Sequence, residues 1–150
     1  MEWTLDSAPF PQWRFTWLSA GDLKLDRECQ LVFPDVPQIP GIYRFEIESD
    51  TAVTEYIGNA IRLRRRFQLY RSRGRKPGKS NGTTTQLARH LLAALGEGHK
   101  VTLALIGHEA LDHRGVRREL DFADSQYRVA VEAALIRHRR AAGFWVLNKR

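Results

Sequence analysis

Gly41-Ile42-Tyr43-Arg44-Phe45-Glu46-Ile47-Glu48, a polar break at Ser49-Asp50-Thr51, then Val53-Thr54-Glu55-Tyr56-Ile57-Gly58 is the stretch that decides the fold of this chain. Ile42, Phe45, Ile47, Val53, Tyr56 and Ile57 are β-branched or aromatic, side chains that suit a pleated, half-buried surface. The break between the two runs is turn chemistry, so the stretch predicts two antiparallel strands joined by a hairpin loop. From Ala60 the apolar period becomes helical, with Leu63, Phe67 and Tyr70 on one face. Arg66 falls among them, while Arg62, Arg64 and Arg65 point away. An arginine on an inward stripe costs solvation unless an anion or a carboxylate meets its planar fork of donors.

Gly41-Ile42-Tyr43 and Tyr56-Ile57-Gly58 resemble the two name motifs of the GIY-YIG nuclease superfamily. They stand in the right order on adjacent predicted strands, with a helix following. Families of this kind carry an arginine ten residues after the second motif's tyrosine and a His or Tyr one helical turn later, positions held here by Arg66 and Tyr70. A metal-binding glutamate on a later helix and an asparagine beyond it complete the pattern, roles that Glu132 and Asn148 can fill. The resemblance spans Pro40 to about Asn148. It implies an α/β fold, with a small, mainly antiparallel three-stranded sheet flanked by helices, and hydrolysis of a phosphodiester. Beside two motif tyrosines, Arg66 is read as binding phosphate rather than as a structural ion pair. Tyr43 would take a proton from the attacking water and Tyr56 would hydrogen-bond the water or the phosphate. Tyr70 would position Tyr43 or assist the leaving group, and Arg66 would stabilise the pentavalent phosphate. Two features depart from the pattern. The twelve residues from Arg44 to Glu55 make a slightly long hairpin, and Asn59 stands where repair-type members often carry a lysine.

Outward from this centre, 150 residues predict one domain with a real core. Met1 to Ile39 form an N-terminal extension packed on the domain, and 40–150 form the nuclease-like part. Trp3, Phe10, Trp13, Phe15 and Trp17 make the extension aromatic, and Trp13, Phe15 and Trp17 alternate as in a strand. They are expected to pack on the sheet in preference to stacking on bases. A net charge of +7 and a pI near 10.1 favour a polyanionic partner. Cys29 is the only cysteine, so an internal disulfide and a thiolate zinc site are excluded. No apolar run approaches a membrane span and the N-terminus lacks a signal sequence, which predicts a cytoplasmic protein.

Arg71-Ser-Arg-Gly-Arg-Lys-Pro-Gly-Lys-Ser-Asn-Gly82 reads as a flexible basic loop leaving the helix of Arg66. Arg71, Arg73, Arg75, Lys76 and Lys79 are therefore expected to clamp a phosphate backbone. Thr83-Thr84-Thr85 offers a cap for a helix to about Leu95, and Val101–Ile106 suits the third, central strand. Gly107 to Asp124 is polar and resists placement. His108-Glu109 and His113 miss the zinc-protease motif, because the two histidines are five residues apart and face different sides of a helix.

The last helix is expected from about Ser125 to Ala142, with Glu132 on its inward stripe beside Val129, Leu135 and Ile136. An ionised carboxylate there needs a partner. Magnesium, or manganese, fits a single carboxylate, because it completes its shell with water and phosphate oxygens. An internal pair with Arg66 or Arg128 is the alternative. The sequence thus predicts a magnesium-dependent DNA endonuclease of restriction-like, mobile-element or DNA-processing type, with a homodimer compatible. A catalytically silent nucleic-acid-binding module using the same basic cleft is the rival.

Overall fold

The computed structural model describes residues 2–5, 13–75 and 82–148. The hairpin at its centre consists of β5 (Gly41–Glu48) and β6 (Val53–Ala60), paired antiparallel from Gly41↔Ala60 to Glu48↔Val53. Ser49 closes the turn: its amide donates to the Ala52 carbonyl at 2.9 Å, and its hydroxyl oxygen accepts from the Ala52 amide at 3.1 Å. On the other side of β5 runs β7 (Lys100–Ile106), also antiparallel.

The sheet does not stop at these three strands. β2 (Trp13–Asp22) pairs antiparallel with β7, and β1 (Glu2–Leu5) pairs with β2. The polar stretch after Gly107 supplies β8 (Glu109–Leu111) and β9 (Arg117–Glu119), and β10 (Trp145–Val146) lies parallel to β6. The result is an eight-stranded mixed sheet, ordered β10-β6-β5-β7-β2-β8-β9 with β1 on β2. The three-stranded sheet expected from sequence is therefore too small. The physical reason is the open edge of β7, whose unpaired backbone groups are satisfied by β2. Phe15 and Trp17 of that strand are buried and Trp13 is half-buried against the same core, as their alternation predicts. Outside the main sheet, β3 (Lys24–Leu25) and β4 (Leu31–Val32) form a short ribbon.

Alternation along β5 and β6 divides the protein into layers. Tyr43, Phe45 and Ile47 face α1 (Leu63–Arg75) and α2 (Thr83–Gly96), packing with Leu63, Phe67, Tyr70, Leu87 and Leu91. Ile42 and Ile57 face α3 (Ser125–Ala141), packing with Val131, Leu135 and Ile136. Two details differ from the sequence expectation. Gly82 occupies the cap of α2, and the threonines lie inside its first turn, with no side-chain cap bond. Val129 is half exposed, because the buried stripe of α3 runs through Arg128, Val131, Leu135 and Arg139, leaving Glu132 on its shoulder. Asp124 caps α3 by accepting from the amides of Gln126 and Tyr127 at 2.9 and 3.2 Å.

The α3 side of the sheet also buries charge. Glu55, with no exposed surface, accepts from Arg139 through both oxygens at 2.9 and 2.7 Å. Arg44 lies 3.6 Å from the same carboxylate and 4.6 Å over the Trp17 ring. Among the described residues no helix is long and apolar enough to cross a membrane.

Candidate active site

Beyond Thr54 and Glu55, β10 no longer covers the edge of β6. There the edge opens into a cleft of about 500 Å³ between α2 and α3. Tyr56, Asn59, Glu132 and Asn148 line it on one side, and Gln86 and His90 of α2 on the other. Three of the residues expected from sequence, Tyr56, Glu132 and Asn148, thus share one cavity.

Tyr43 and Tyr70 stand behind Tyr56. Tyr43 is buried on the α1 face of β5, and its hydroxyl lies 2.5 Å from that of Tyr70. Either hydroxyl of the Tyr43–Tyr70 pair can donate, and Tyr70 in turn acts on Tyr56, so a row of three phenols runs from the core to the cleft. Gly58 makes room for it. Gly58 is the cross-strand partner of Tyr43, and a Cβ there would collide with the hydroxyl end of the Tyr43 ring. The glycine of the second motif is thus required by the tyrosine of the first.

Arg66 is half-buried on α1 and makes no ion pair or side-chain hydrogen bond among the described residues. Its charge acts on all three phenols and favours the phenolate of each. Desolvation wins nonetheless. Burial raises the pKa of Tyr43 well above the ordinary value near 10, and that of Tyr56 and Tyr70 also rises. At Tyr56 the negative charge of Glu132 adds to the rise.

A stability prediction follows from the sign of these shifts. Below about pH 10 the phenols are protonated in both folded and unfolded chains, so their contribution is complete. Above it the unfolded chain releases protons that the folded chain retains, and stability falls as pH rises. Thermal melts from pH 8 to pH 11 should show that decline, and Tyr43→Phe should make it shallower. An unchanged slope in the variant would exclude a buried, protonated Tyr43.

Glu132 is half-buried and accepts from the side-chain amide of Asn59. The Asn59 oxygen accepts from Arg128 Nε at 3.0 Å, and Arg128 Nη1 donates to the Phe122 carbonyl at 2.8 Å. Asn148 acts on backbone: its Oδ1 accepts from the Ile57 amide at 2.9 Å, and its Nδ2 donates to the Ile57 carbonyl at 2.6 Å. Its amide thereby extends the short strand β10 by one side-chain rung and fixes the edge of β6 beside Tyr56.

Among the described residues no three His, Cys, Asp or Glu side chains converge on one point. A preformed cage of the zinc or calcium type is therefore not built here. One carboxylate in an open cleft suits magnesium, which dehydrates reluctantly and keeps most of its waters.

The basic residues expected to clamp DNA divide. Arg71 is tied at 2.7 Å to Asp26 and also donates to the Leu31 carbonyl, which anchors α1 to the β3–β4 ribbon. Arg73 is exposed. The Arg75 side chain, Lys76 and Lys79 lie outside the described residues, and the first part of the predicted loop, 71–75, is instead the end of α1.

Two groups go beyond the sequence expectation, which named Arg128 only as a direct ion-pair alternative for Glu132. Asn59 and Arg128 surround Glu132, and Arg44, Glu55 and Arg139 lie beneath β6. The i, i+4 spacing of Arg128 and Glu132 on one helix was the available signal for the first group. For the second there was none, because Glu55 and Arg139 are far apart in sequence.

No protein-family model and no curated protein matches the sequence. The fold is similar to the solved structure of a mutant of EndoII from bacteriophage T4. The TM-score is 0.51 at 21% identity, with 78% of this chain and 86% of that chain covered. At that identity the likeness is one of fold.

Proposed function

We propose that the chain is a magnesium-dependent DNA endonuclease working in the cleft at the β6 edge. The observation that carries this reading is the meeting of Tyr56, Glu132 and Asn148 in one cavity, with Tyr43, Tyr70 and the charge of Arg66 directly behind. Glu132 would hold the ion, which when bound neutralises charge on the phosphate and the leaving oxygen.

Tyr56 is the phenol that lines the cleft, so it meets the attacking water. With its pKa raised, it is neutral at pH 7, so it would pass its own proton to a phosphate oxygen as its oxygen takes the proton of the attacking water, in one concerted step. Tyr70, standing behind Tyr56, would stabilise negative charge arriving on the Tyr56 oxygen. Tyr43, named from sequence as the base, would act through Tyr70 or directly after Tyr70 swings aside. Arg66 offers its fork to the pentavalent phosphate.

Incubation with single-stranded, duplex and branched DNA, with magnesium and with EDTA, tests the reading. Cleavage with magnesium and none with EDTA is expected. DNA binding without cleavage of any substrate would favour the silent module instead.

Affinity is expected to come from the basic stretch that ends α1 and continues beyond it. Replacing Arg73, Arg75, Lys76 and Lys79 by glutamine should weaken DNA binding and lower the salt slope by about 3–4. Arg71 is left in place because Asp26 already holds it. An unchanged slope would place this stretch away from the DNA.

A further inference from the structure

We propose that Asn59 and Arg128 are positioning residues that present Glu132 to a divalent cation. The proposal rests on the nuclease reading of the cleft and adds two residues to it.

The geometry is a relay with a fixed direction. Arg128 is buried and donates from two different nitrogens, to the Phe122 carbonyl at 2.8 Å and to Asn59 Oδ1 at 3.0 Å. Phe122 is itself buried in the core, so the guanidinium is anchored to a rigid point. A guanidinium has no acceptor, so it dictates which end of the Asn59 amide faces it. The oxygen must turn to Arg128, and the amino group is left to face Glu132. That amino group donates to one carboxylate oxygen, Oε2, and sets the plane of the carboxyl group. A glutamate on a helix shoulder otherwise samples several rotamers, each aiming its oxygens differently. Hydrogen-bonded partners of metal ligands are typically worth 10–100-fold in metal affinity for this reason.

Asn59 suits the task for a second reason. Placed next to Glu132, a lysine or arginine would compete with a cation for the carboxylate, whereas the neutral amide orients it without opposing the metal. Arg128 adds a positive charge one step back, behind the Asn59 amide.

Manganese binding to the intact protein, followed by electron paramagnetic resonance, reads this directly and without turnover. Asn59→Ala should weaken Mn²⁺ binding about tenfold or more, with little change in melting temperature. Arg128→Lys keeps the charge and loses the fork, so it should weaken binding in the same direction. Because Arg128 acts through Asn59, the double variant should bind no more weakly than Asn59→Ala alone. Wild-type affinity in Asn59→Ala, or losses that add in the double variant, would overturn the relay. Glu132→Gln separates the two levels. If it loses Mn²⁺ while Asn59→Ala retains it, the relay alone is wrong. If it binds Mn²⁺ as the wild type does, the metal site itself is wrong, and the relay with it. Should Arg128→Lys fail to fold, Asn59→Ala decides by itself, since Asn59 sits at the cleft wall rather than in the core.

Discussion

Glu132→Gln is expected to reduce magnesium-dependent cleavage by about 10³-fold or more while the protein folds and binds DNA as before. Glutamine has nearly the shape of glutamate, and its side-chain oxygen can still accept from Asn59. Position 132 is half-buried and lines an open cleft, so stability should change by no more than about 1 kcal/mol. What disappears is the one negative charge that the described residues of the cleft offer a cation. Arg66→Ala should cause a loss of similar size by another route, because it would remove the donor proposed for the transition state and leave the carboxylate in place. The two variants are distinguishable: raised magnesium should partly restore a weakened metal site but not a missing guanidinium. Cleavage by Glu132→Gln at the wild-type rate would sink the one-metal site.

The largest expected effect on stability lies under the sheet. Glu55→Gln should lower stability by about 3–5 kcal/mol, equivalent to a fall of roughly 6–20 °C in melting temperature. Among the described residues Glu55 is the only anion wholly enclosed with two buried guanidinium groups, and it meets Arg139 at 2.7 Å and Arg44 at 3.6 Å. Removing its charge leaves two cations facing one another away from water. Arg44→Met should behave in the opposite way. Arg44 Nε and Nη1 have no hydrogen-bond partner, and burial pulls its pKa down. Replacing it with a polarisable apolar side chain beneath Trp17 should leave stability unchanged or raise it. Equal destabilisation by the two variants would mean that the cluster acts as one indivisible network.

The hairpin and the α1 helix were legible from sequence because each carries a local period, whereas Tyr43 and Tyr56 stood out only by resemblance to the two family motifs. Alternation gives the faces of β5 and β6, and 3.6-residue spacing gives the inward stripe of α1. The sheet's full width was not legible. β10 is two residues long, and β8 and β9 are three each. Strands so short carry no period, and they exist only because a neighbouring edge offers unpaired backbone. Glu132 was found by its place on a helix, yet the stripe was misplaced by one position, since Arg128 and Arg139 are buried where an apolar pattern expects solvent. Those arginines are inside because Asn59 and Glu55, both on β6, receive them. Such partners are tertiary facts and leave no mark on a linear pattern.

The pairing of Asn148 with the Ile57 backbone also bears on when the cleft comes into being. It joins positions 91 apart in sequence, and β10 reaches back equally far to Thr54 and Glu55. On the ribosome the hairpin and α1 can form early, since their contacts are local. The edge of β6 beside Tyr56 stays unclamped until Asn148 has left the exit tunnel. A partly synthesised chain therefore carries the tyrosines and the arginine without a closed site around them. Assembly order alone would keep a DNA-cutting activity silent until synthesis has passed its final contact.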